Sequence, residues 1–176
     1  TYGDWSSDVC SSDLAVQLAK ATDVGGLQAI AREFAGKPVG AQALLRMGEM
    51  HFEAGRLNEA GAAYKDLVDR YPSNPLAQPA RLSLVAIIEA QGNFEEAKAQ
   101  YLQLAMRGDS YLALAAKIGA ARCAEAAGQT KEAQQLYEEL AQVVRGSAWE
   151  TTVFVRRSVL ARTGIPAPAA APAVGP

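Results

Sequence analysis

Four residue types recur along this chain at a common spacing, and this recurrence restricts the fold more than any other feature. The recurring columns are Gly55, Gly92 and Gly128; Ala60, Ala97 and Ala133; Tyr64, Tyr101 and Tyr137; and Leu67, Leu104 and Leu140. Every column steps by 37 and then by 36 residues. A helix-favouring composition alone would not keep four columns in step, so the sequence indicates internal repeats of one supersecondary unit.

Each column has a role in a hairpin of two helices. Glycine suits the left-handed conformation that ends a helix and turns the chain. Alanine lets two helices approach closely, and tyrosine four residues later lies on the same face. The acids Glu59, Glu96 and Glu132 follow the expected N-caps of the second helices by three residues, and Asn93 with Glu96 predicts a capping box. Such a hairpin cannot bury its apolar face alone, so the units must stack.

The sequence therefore predicts an all-α fold, a solenoid of stacked helical hairpins over residues 15–163. We expect units at 41–74, 78–111 and 114–147, closed by a capping helix at 148–162 with a polar outer face. The expected helices lie near 23–35, 40–54, 57–70, 77–91, 94–107, 112–127, 130–144 and 148–162. The first of these aligns with a second helix one period upstream.

The first unit resembles the tetratricopeptide repeat. Its hallmark residues are Leu44, Met47, Gly48, Ala60, Tyr64, Leu67 and Pro72. The later units depart from the pattern, because Val85 and Ala121 replace the early glycine and Asp109 replaces the closing proline. Their longer connections are similar to the bacterial envelope group of these repeats, above all to the YfgM-like proteins, which are inner-membrane-anchored helpers of protein export. The resemblance covers Asp23 to Leu140 and implies a non-catalytic, chaperone-like scaffold for protein–protein interaction.

Residues 4–14, DWSSDVCSSDL, resemble a sequencing-library adapter translated in frame. We therefore expect residues 1–14 to be an artefact and the natural N-terminus, with any signal or membrane anchor, to be missing. The best expectation for localisation is the periplasmic side of a bacterial inner membrane. Removing Asp4, Asp8 and Asp13 changes the balance of 17 basic and 19 acidic residues to 17 against 16, a formal charge of +1. This near-neutral charge gives no support for nucleic acid or an anionic membrane as partner.

At the other end, residues 164–176 carry four prolines without periodicity, and we expect a disordered or extended tail.

No set of residues predicts catalysis, a metal or a cofactor. His51 is the only histidine, and a packing role explains it best. Cys123 is the only cysteine outside the adapter-like segment, which argues against zinc sites with several Cys or His ligands. It lies in an alanine-rich first helix, where a small buried thiol is expected. No glycine-rich phosphate loop is present.

Binding of other proteins is the better prediction. The resemblance implies that positions 2, 5, 9, 12 and 13 of each unit face a concave groove. Those residues are Gln42, Leu45, Glu49, Phe52 and Glu53; then Pro79, Leu82, Ala86, Glu89 and Ala90; then Ala115, Ile118, Arg122, Glu125 and Ala126. The clamp for C-terminal carboxylates used by some relatives is absent, because apolar residues hold position 5.

We expect this groove to take extended or helical segments with apolar anchors and basic flanks. Two alternatives stay open from the sequence. The same face could pack against another copy of the chain, giving a homo-oligomer or a self-assembly module, or against the missing N-terminal helix. The chain could also be a helical domain of an enzyme.

Overall fold

The structure, a computed structural model, describes residues 23–108 and 110–163, and the chain is helical without strands in these ranges. The helices are α1 (Val24–Glu33), α2 (Pro38–Glu53), α3 (Leu57–Arg70), α4 (Ala77–Ala90), α5 (Phe94–Arg107), α6 (Ser110–Ala126), α7 (Thr130–Val143) and α8 (Glu150–Thr163). The all-α prediction is confirmed, and each helix ends within two residues of its expected bounds. The adapter-like segment and the proline-rich tail lie outside the described residues.

Two compact units divide the chain between Arg81 and Leu82, inside α4. In the first unit, α2 packs against both α1 and α3. The core contains Leu27, Ile30, Leu44, Tyr64, Leu67 and Tyr71. Gly48 of α2 supports the Tyr64 ring so closely that a Cβ on the glycine would lie 2.5 Å from the ring. The Tyr71 hydroxyl, at the end of α3, accepts a hydrogen bond of 2.9 Å from the backbone N–H of Gly36, between α1 and α2. The Tyr71 hydroxyl thus links the end of α3 to the turn between α1 and α2.

In the second unit, α6 packs against α5 and α7, and α8 packs against α7. One buried cluster surrounds Tyr101 and includes Val85, Ala97, Ala116, Ala120 and Cys123. Another surrounds Tyr137 and includes Ile118, Ala133, Leu140, Val153 and Leu160. The recurrent tyrosines therefore form the centres of the packing, as the sequence predicts.

The recurrent glycines adopt the conformation that their column predicts. Gly55, Gly92 and Gly128 have φ angles of 70°, 84° and 75°, in the left-handed region. A residue with a Cβ is disfavoured there by about 1–2 kcal/mol. The column is therefore a set of helix-ending turns.

The predicted capping box at Asn93 is wrong in its contacts, although Asn93 is the N-cap of α5. Its side chain makes no capping hydrogen bond, and its φ and ψ of −83° and 61° are those of an inverse γ-turn. The Phe94 N–H donates to the Gly92 carbonyl at 3.0 Å within that turn. Side-chain capping requires an extended N-cap residue, so the tight turn excludes it. Glu96 instead accepts from Gln100 on its own helix.

The polar outer face expected for the last helix is also wrong. Val153 and Leu160 of α8 are buried, as a closing helix requires. Phe154, Val155 and Val159 are nevertheless 60%, 49% and 37% exposed. Apolar residues are distributed around the whole helix, so burying one side leaves others in solvent.

Candidate functional site

One face of α2 in the first unit carries all five of its predicted binding residues. Gln42, Leu45, Glu49, Phe52 and Glu53 are separated by steps of three, four, three and one, which keep them on one side of an α-helix. Leu45 and Phe52 are half-buried, while the three polar side chains are exposed. Pro38 at the first position of the helix fixes where this face begins. The result is an apolar strip edged by carboxylates.

Electrostatics on this face favour a basic partner. The carboxylate of Glu49 is partly shielded from water although its side chain is exposed as a whole; this partial desolvation and then the neighbouring charge of Glu53 raise its pKa, and Arg46 opposes this effect. Two nearby carboxylates repel each other, so a cation placed between them relieves the repulsion. At the end of the same helix, the Nδ1 atom of His51 accepts a hydrogen bond of 3.0 Å from Arg56 Nε. The histidine thus has a structural partner.

The second unit places its predicted binding residues differently. Leu82 and Ala86 are half-buried, and Leu82 packs against the Tyr101 cluster. Ile118, expected to offer an apolar contact in the groove, is 4% exposed and belongs to the Tyr137 cluster. Glu89 and Glu125, expected as an acidic rim, are 7% and 2% exposed. Burial corrects the expectation for these three residues.

Glu89 is buried because hydrogen-bond donors from two helices surround its carboxylate. The Tyr101 hydroxyl of α5 donates to Glu89 Oε2 at 2.9 Å. Arg122 of α6 donates to both carboxylate oxygens, through Nε to Oε1 and through a terminal nitrogen to Oε2 at 2.5 Å. A fork of two parallel bonds is the strongest form of carboxylate pairing. Arg122, predicted to face the groove, is therefore occupied in an ion pair within the fold.

Glu125 repeats this arrangement one period later. The Tyr137 hydroxyl donates to Glu125 Oε2 at 3.1 Å, and a guanidinium nitrogen of Arg156 in α8 lies 3.5 Å from Oε1. In both cases the tyrosine belongs to the same hairpin as the glutamate and the arginine to the following helix. We call each set a tyrosine–glutamate–arginine cluster. The first unit differs, because Phe52 holds the corresponding position.

Sequence reasoning missed these clusters although a signal existed. Each glutamate precedes a tyrosine of the repeat column by 12 residues. The two glutamates are 36 residues apart, as are the two tyrosines. A residue that recurs with the period of the buried columns is expected in the core. The resemblance to the tetratricopeptide repeat instead predicts that these glutamates face the groove.

Another set of polar contacts joins α5 and α7, the second helices of two neighbouring hairpins. Lys98 of α5 donates to Glu132 Oε2 of α7 at 2.9 Å and to Gln129 Oε1 at 2.5 Å. It also lies 3.1 Å from Glu95 on its own helix. Glu95 and Glu132 are therefore ion-paired side chains.

The described residues offer no metal site, since no three His, Cys, Asp or Glu side chains come together in residues 23–108 and 110–163. Cys123 is fully buried, as predicted. Burial raises the pKa of its thiol to about 12, with the charge of Glu89 adding to the effect. A thiol in this state is a poor nucleophile at neutral pH.

Comparison with known proteins agrees with the packing. A family model described as tetratricopeptide repeat matches residues 27–75. No curated protein matches the chain. Within the described ranges, no helix has the length and apolar character needed to cross a membrane. Repeats of this type generally mediate protein–protein interactions, and their all-α fold typically serves as a scaffold. Residues 27–75 therefore match the tetratricopeptide repeat, and the repeated columns and helical hairpins continue the same all-α repeat architecture through the other described residues.

Proposed function

We propose that this protein is a non-catalytic scaffold that binds protein segments on the exposed face of α2. The observation that carries the proposal is the apolar strip of Leu45 and Phe52, edged by the exposed carboxylates of Glu49 and Glu53. Half-buried apolar side chains provide anchoring contacts, and surrounding charges select the partner.

The preferred ligand is a segment with one or two large apolar side chains flanked by lysine or arginine. The carboxylates of Glu49 and Glu53 attract the basic flanks, while the strip receives the apolar side chain. Exposed ion pairs contribute only about 0–1 kcal/mol each, so binding is weak and sensitive to salt. Weak, broad recognition suits a helper that handles many client proteins.

The cellular setting belongs to the same proposal. The connections between hairpins resemble the YfgM-like envelope proteins, and this resemblance supports a chaperone-like role in secretion at a bacterial envelope. Expression of the gene with its natural N-terminus, followed by membrane fractionation, tests the setting. Recovery in the cytosolic fraction would contradict it.

Binding on α2 is tested with defined peptides. The probe is a fluorescein-labelled peptide with a central Phe-Leu pair flanked by two lysines on each side, and the measurement is anisotropy against the full chain. We expect Phe52→Ala to weaken binding about fivefold or more, because truncating an aromatic anchor typically costs above 1 kcal/mol. Reversing Glu49 and Glu53 to Lys should abolish the preference for lysine flanks over glutamate flanks.

The matched control is Glu139→Lys, an exposed charge reversal on α7. It should leave the affinity unchanged. Equal binding by wild type and by the Phe52→Ala protein would show that α2 does not carry the interaction.

A further inference from the structure

Glu49 lies between the two apolar side chains of the α2 face. Leu45 and Phe52 are seven residues apart, which corresponds to about 10.5 Å along the helix axis. Along the same axis, Glu49 stands about 6 Å beyond Leu45 and about 4.5 Å before Phe52. A segment that contacts both apolar side chains therefore passes over Glu49 and removes water from its carboxylate.

The position of Glu53 on this face is different. It follows Phe52 directly, so it lies beyond the stretch that such a segment covers. At about 100° of rotation per residue, Glu49 is about 40° around the helix from Leu45, and Glu53 is about 80° around. The Glu53 side chain is exposed beside the strip rather than between its apolar residues. Binding along the strip therefore desolvates Glu49 more than Glu53.

The carboxylate of Glu49 is already partly shielded from water in the free protein. This partial desolvation and the charge of Glu53 raise its pKa, while the charge of Arg46 has a smaller, opposite effect. Within the described residues, Glu53 and Arg46 are the charged groups that act on Glu49, and both belong to α2. When a ligand covers the carboxylate further, either a cation of the ligand pairs with it or it takes up a proton.

We propose, building on the binding function of α2 proposed above, that Glu49 determines which segments the α2 face accepts. The preferred segment carries a lysine or arginine between two apolar side chains, opposite Glu49. In a helical segment the apolar residues are seven positions apart and the basic residue is three or four positions from each, which matches the spacing on α2. A segment with a neutral central residue buries an unpaired carboxylate, which is unfavourable unless Glu49 is protonated.

Segments of these two kinds should respond to pH in opposite directions. A central lysine favours ionised Glu49, so its binding is strongest above the pKa of this carboxyl group and weakens as the pH falls through that pKa. A central glutamine favours the protonated form, so its binding strengthens as the pH falls over the same range. A carboxylate that stays in solvent, such as Glu53, does not produce this reversal.

Two rhodamine-labelled helical peptides test the proposal. Each carries leucine and phenylalanine seven positions apart in an alanine- and glutamine-based sequence, and the central residue between them is lysine in one and glutamine in the other. The measurement is anisotropy against the full chain at pH 7.5 and at pH 4.5. At pH 7.5 the lysine peptide should bind about tenfold more tightly, because it gives the covered carboxylate a charged partner.

At pH 4.5 the order of affinities should shift. The pKa of Glu49 is raised above its ordinary value of 4.5, so more than half of the free protein carries a protonated Glu49 at this pH. The lysine peptide should therefore bind about twofold or more weakly than at pH 7.5. The glutamine peptide should bind more tightly than it does at pH 7.5.

Substitutions in the protein locate the effect. Glu49→Gln should remove the preference for lysine and abolish the opposite pH responses. Glu53→Gln should weaken the lysine peptide less and should keep the opposite responses, because Glu53 lies beyond the covered strip. The matched control is Glu139→Gln, which removes an exposed charge on α7 and should bind like wild type. Circular dichroism at both pH values shows whether each variant is folded.

Equal affinity of wild type for the two peptides at pH 7.5, or pH responses of the same sign, would overturn the role of Glu49. Opposite responses that survive in the Glu49→Gln protein would overturn it as well. The Phe52→Ala protein separates this failure from failure of the proposed function. If both peptides depend on Phe52 but respond alike to pH, binding on α2 stands and only the role of Glu49 fails. If neither peptide depends on Phe52, both proposals fail.

Discussion

At the scale of single residues, Glu89 shows how the second unit stabilises a buried charge. A buried charge is tolerated only when donors replace the lost water, and Tyr101 and Arg122 supply them. Removing one member of such a group leaves the others buried without compensation. Each tyrosine–glutamate–arginine cluster therefore makes two neighbouring hairpins dependent on each other.

Tyr101 tests this dependence. Tyr101→Ala removes an aromatic ring that is 2% exposed and should lower the free energy of unfolding by about 3–5 kcal/mol. Tyr101→Phe removes only the hydroxyl that donates to Glu89 and should cost about 1 kcal/mol. Urea denaturation provides the measurement. Tyr111→Ala is the control, because that side chain is 67% exposed. A neutral Tyr101→Ala would mean that the repeat register is wrong.

Alkaline pH should destabilise the fold through Cys123. Burial raises the pKa of its thiol from 9.0 to about 12, so the unfolded chain loses this proton at lower pH than the folded chain. The stabilising contribution is complete below pH 9 and decreases as the pH rises from 9 towards 12. The pKa values of Tyr101 and Tyr137 are also raised by burial, which adds to the loss above pH 10.

Thermal denaturation between pH 7 and pH 11 checks this expectation, with Cys123→Ala as the comparison. The variant should lose less stability between pH 9 and pH 10 than wild type does. A thiol reagent should also label Cys123 at pH 8 only in denaturant. Because Cys10 also carries a thiol, the labelled residue is located by peptide mapping, and rapid labelling of Cys123 in the native protein would contradict the raised pKa.

At the scale of helices, the packing of α2 on α3 depends on one close approach. Gly48 has no Cβ, and the Tyr64 ring occupies the space where one would lie. In the second unit the corresponding contact comes from another helix. Val85 holds the position equivalent to Gly48, and Gly119 of the next helix packs against the Tyr101 ring instead. The tyrosine is the same in both hairpins, but the glycine that contacts it lies in the preceding helix in the first and in the following helix in the second.

Gly48→Ala should therefore destabilise the first unit. The new Cβ would lie 2.5 Å from the Tyr64 ring, and overpacking of this kind costs about 1–3 kcal/mol. Gly25→Ala in α1 is the matched control, because its Cβ would meet only Asp23 Oδ1 at 3.4 Å. Alanine favours helix over glycine by up to about 1 kcal/mol, so the control should be neutral or stabilising. If both substitutions raised the melting temperature, the close approach would be refuted.

Helix identity and helix ends could be predicted from the sequence because they depend on local periodicity and on the turn glycines. The clusters at Glu89 and Glu125 do not follow from the local helical pattern, because a glutamate on a helix is ordinarily exposed. Only the 36-residue spacing of the two glutamates indicates that they are buried, and it does not identify their arginine partners. The outer face of α8 was mistaken for a similar reason. A closing role predicts a polar outer face, whereas Phe154, Val155 and Val159 place apolar side chains there.

At the scale of the whole molecule, the helix pairs with the most extensive packing are neighbours in sequence. Each hairpin is therefore stabilised by local contacts and by those with the adjacent helix, which is typical of repeat arrays. Proteins rich in local contacts also fold fast. Segments without the repeat pattern should contribute little to such a fold.

Deleting residues 1–14 tests that expectation. The segment has neither the glycine nor the tyrosine column, and its sequence resembles a translated adapter. Its removal should change the free energy of unfolding by no more than about 0.5 kcal/mol, as for surface changes in general. Denaturation of the full and shortened chains provides the comparison. A large loss of stability would show that the segment belongs to the protein, and resequencing of the gene settles its origin.

The spacing of the buried clusters has a consequence for how such a chain can change length. Excision of residues 93–128, one period of 36 residues, would join Gly92 directly to Gln129. Glu89 would then stand 12 residues before Tyr137 and 31 before Arg156, the separations that Glu125 has in the present chain. The shortened protein would inherit a complete set of buried partners at the new junction. Loss or duplication of this 36-residue period is thus a change that the architecture can absorb in a single genetic event, whereas excision of 35 or 37 residues after Gly92 would change the spacing of Glu89 from Tyr137 and Arg156 and leave its carboxylate without those partners.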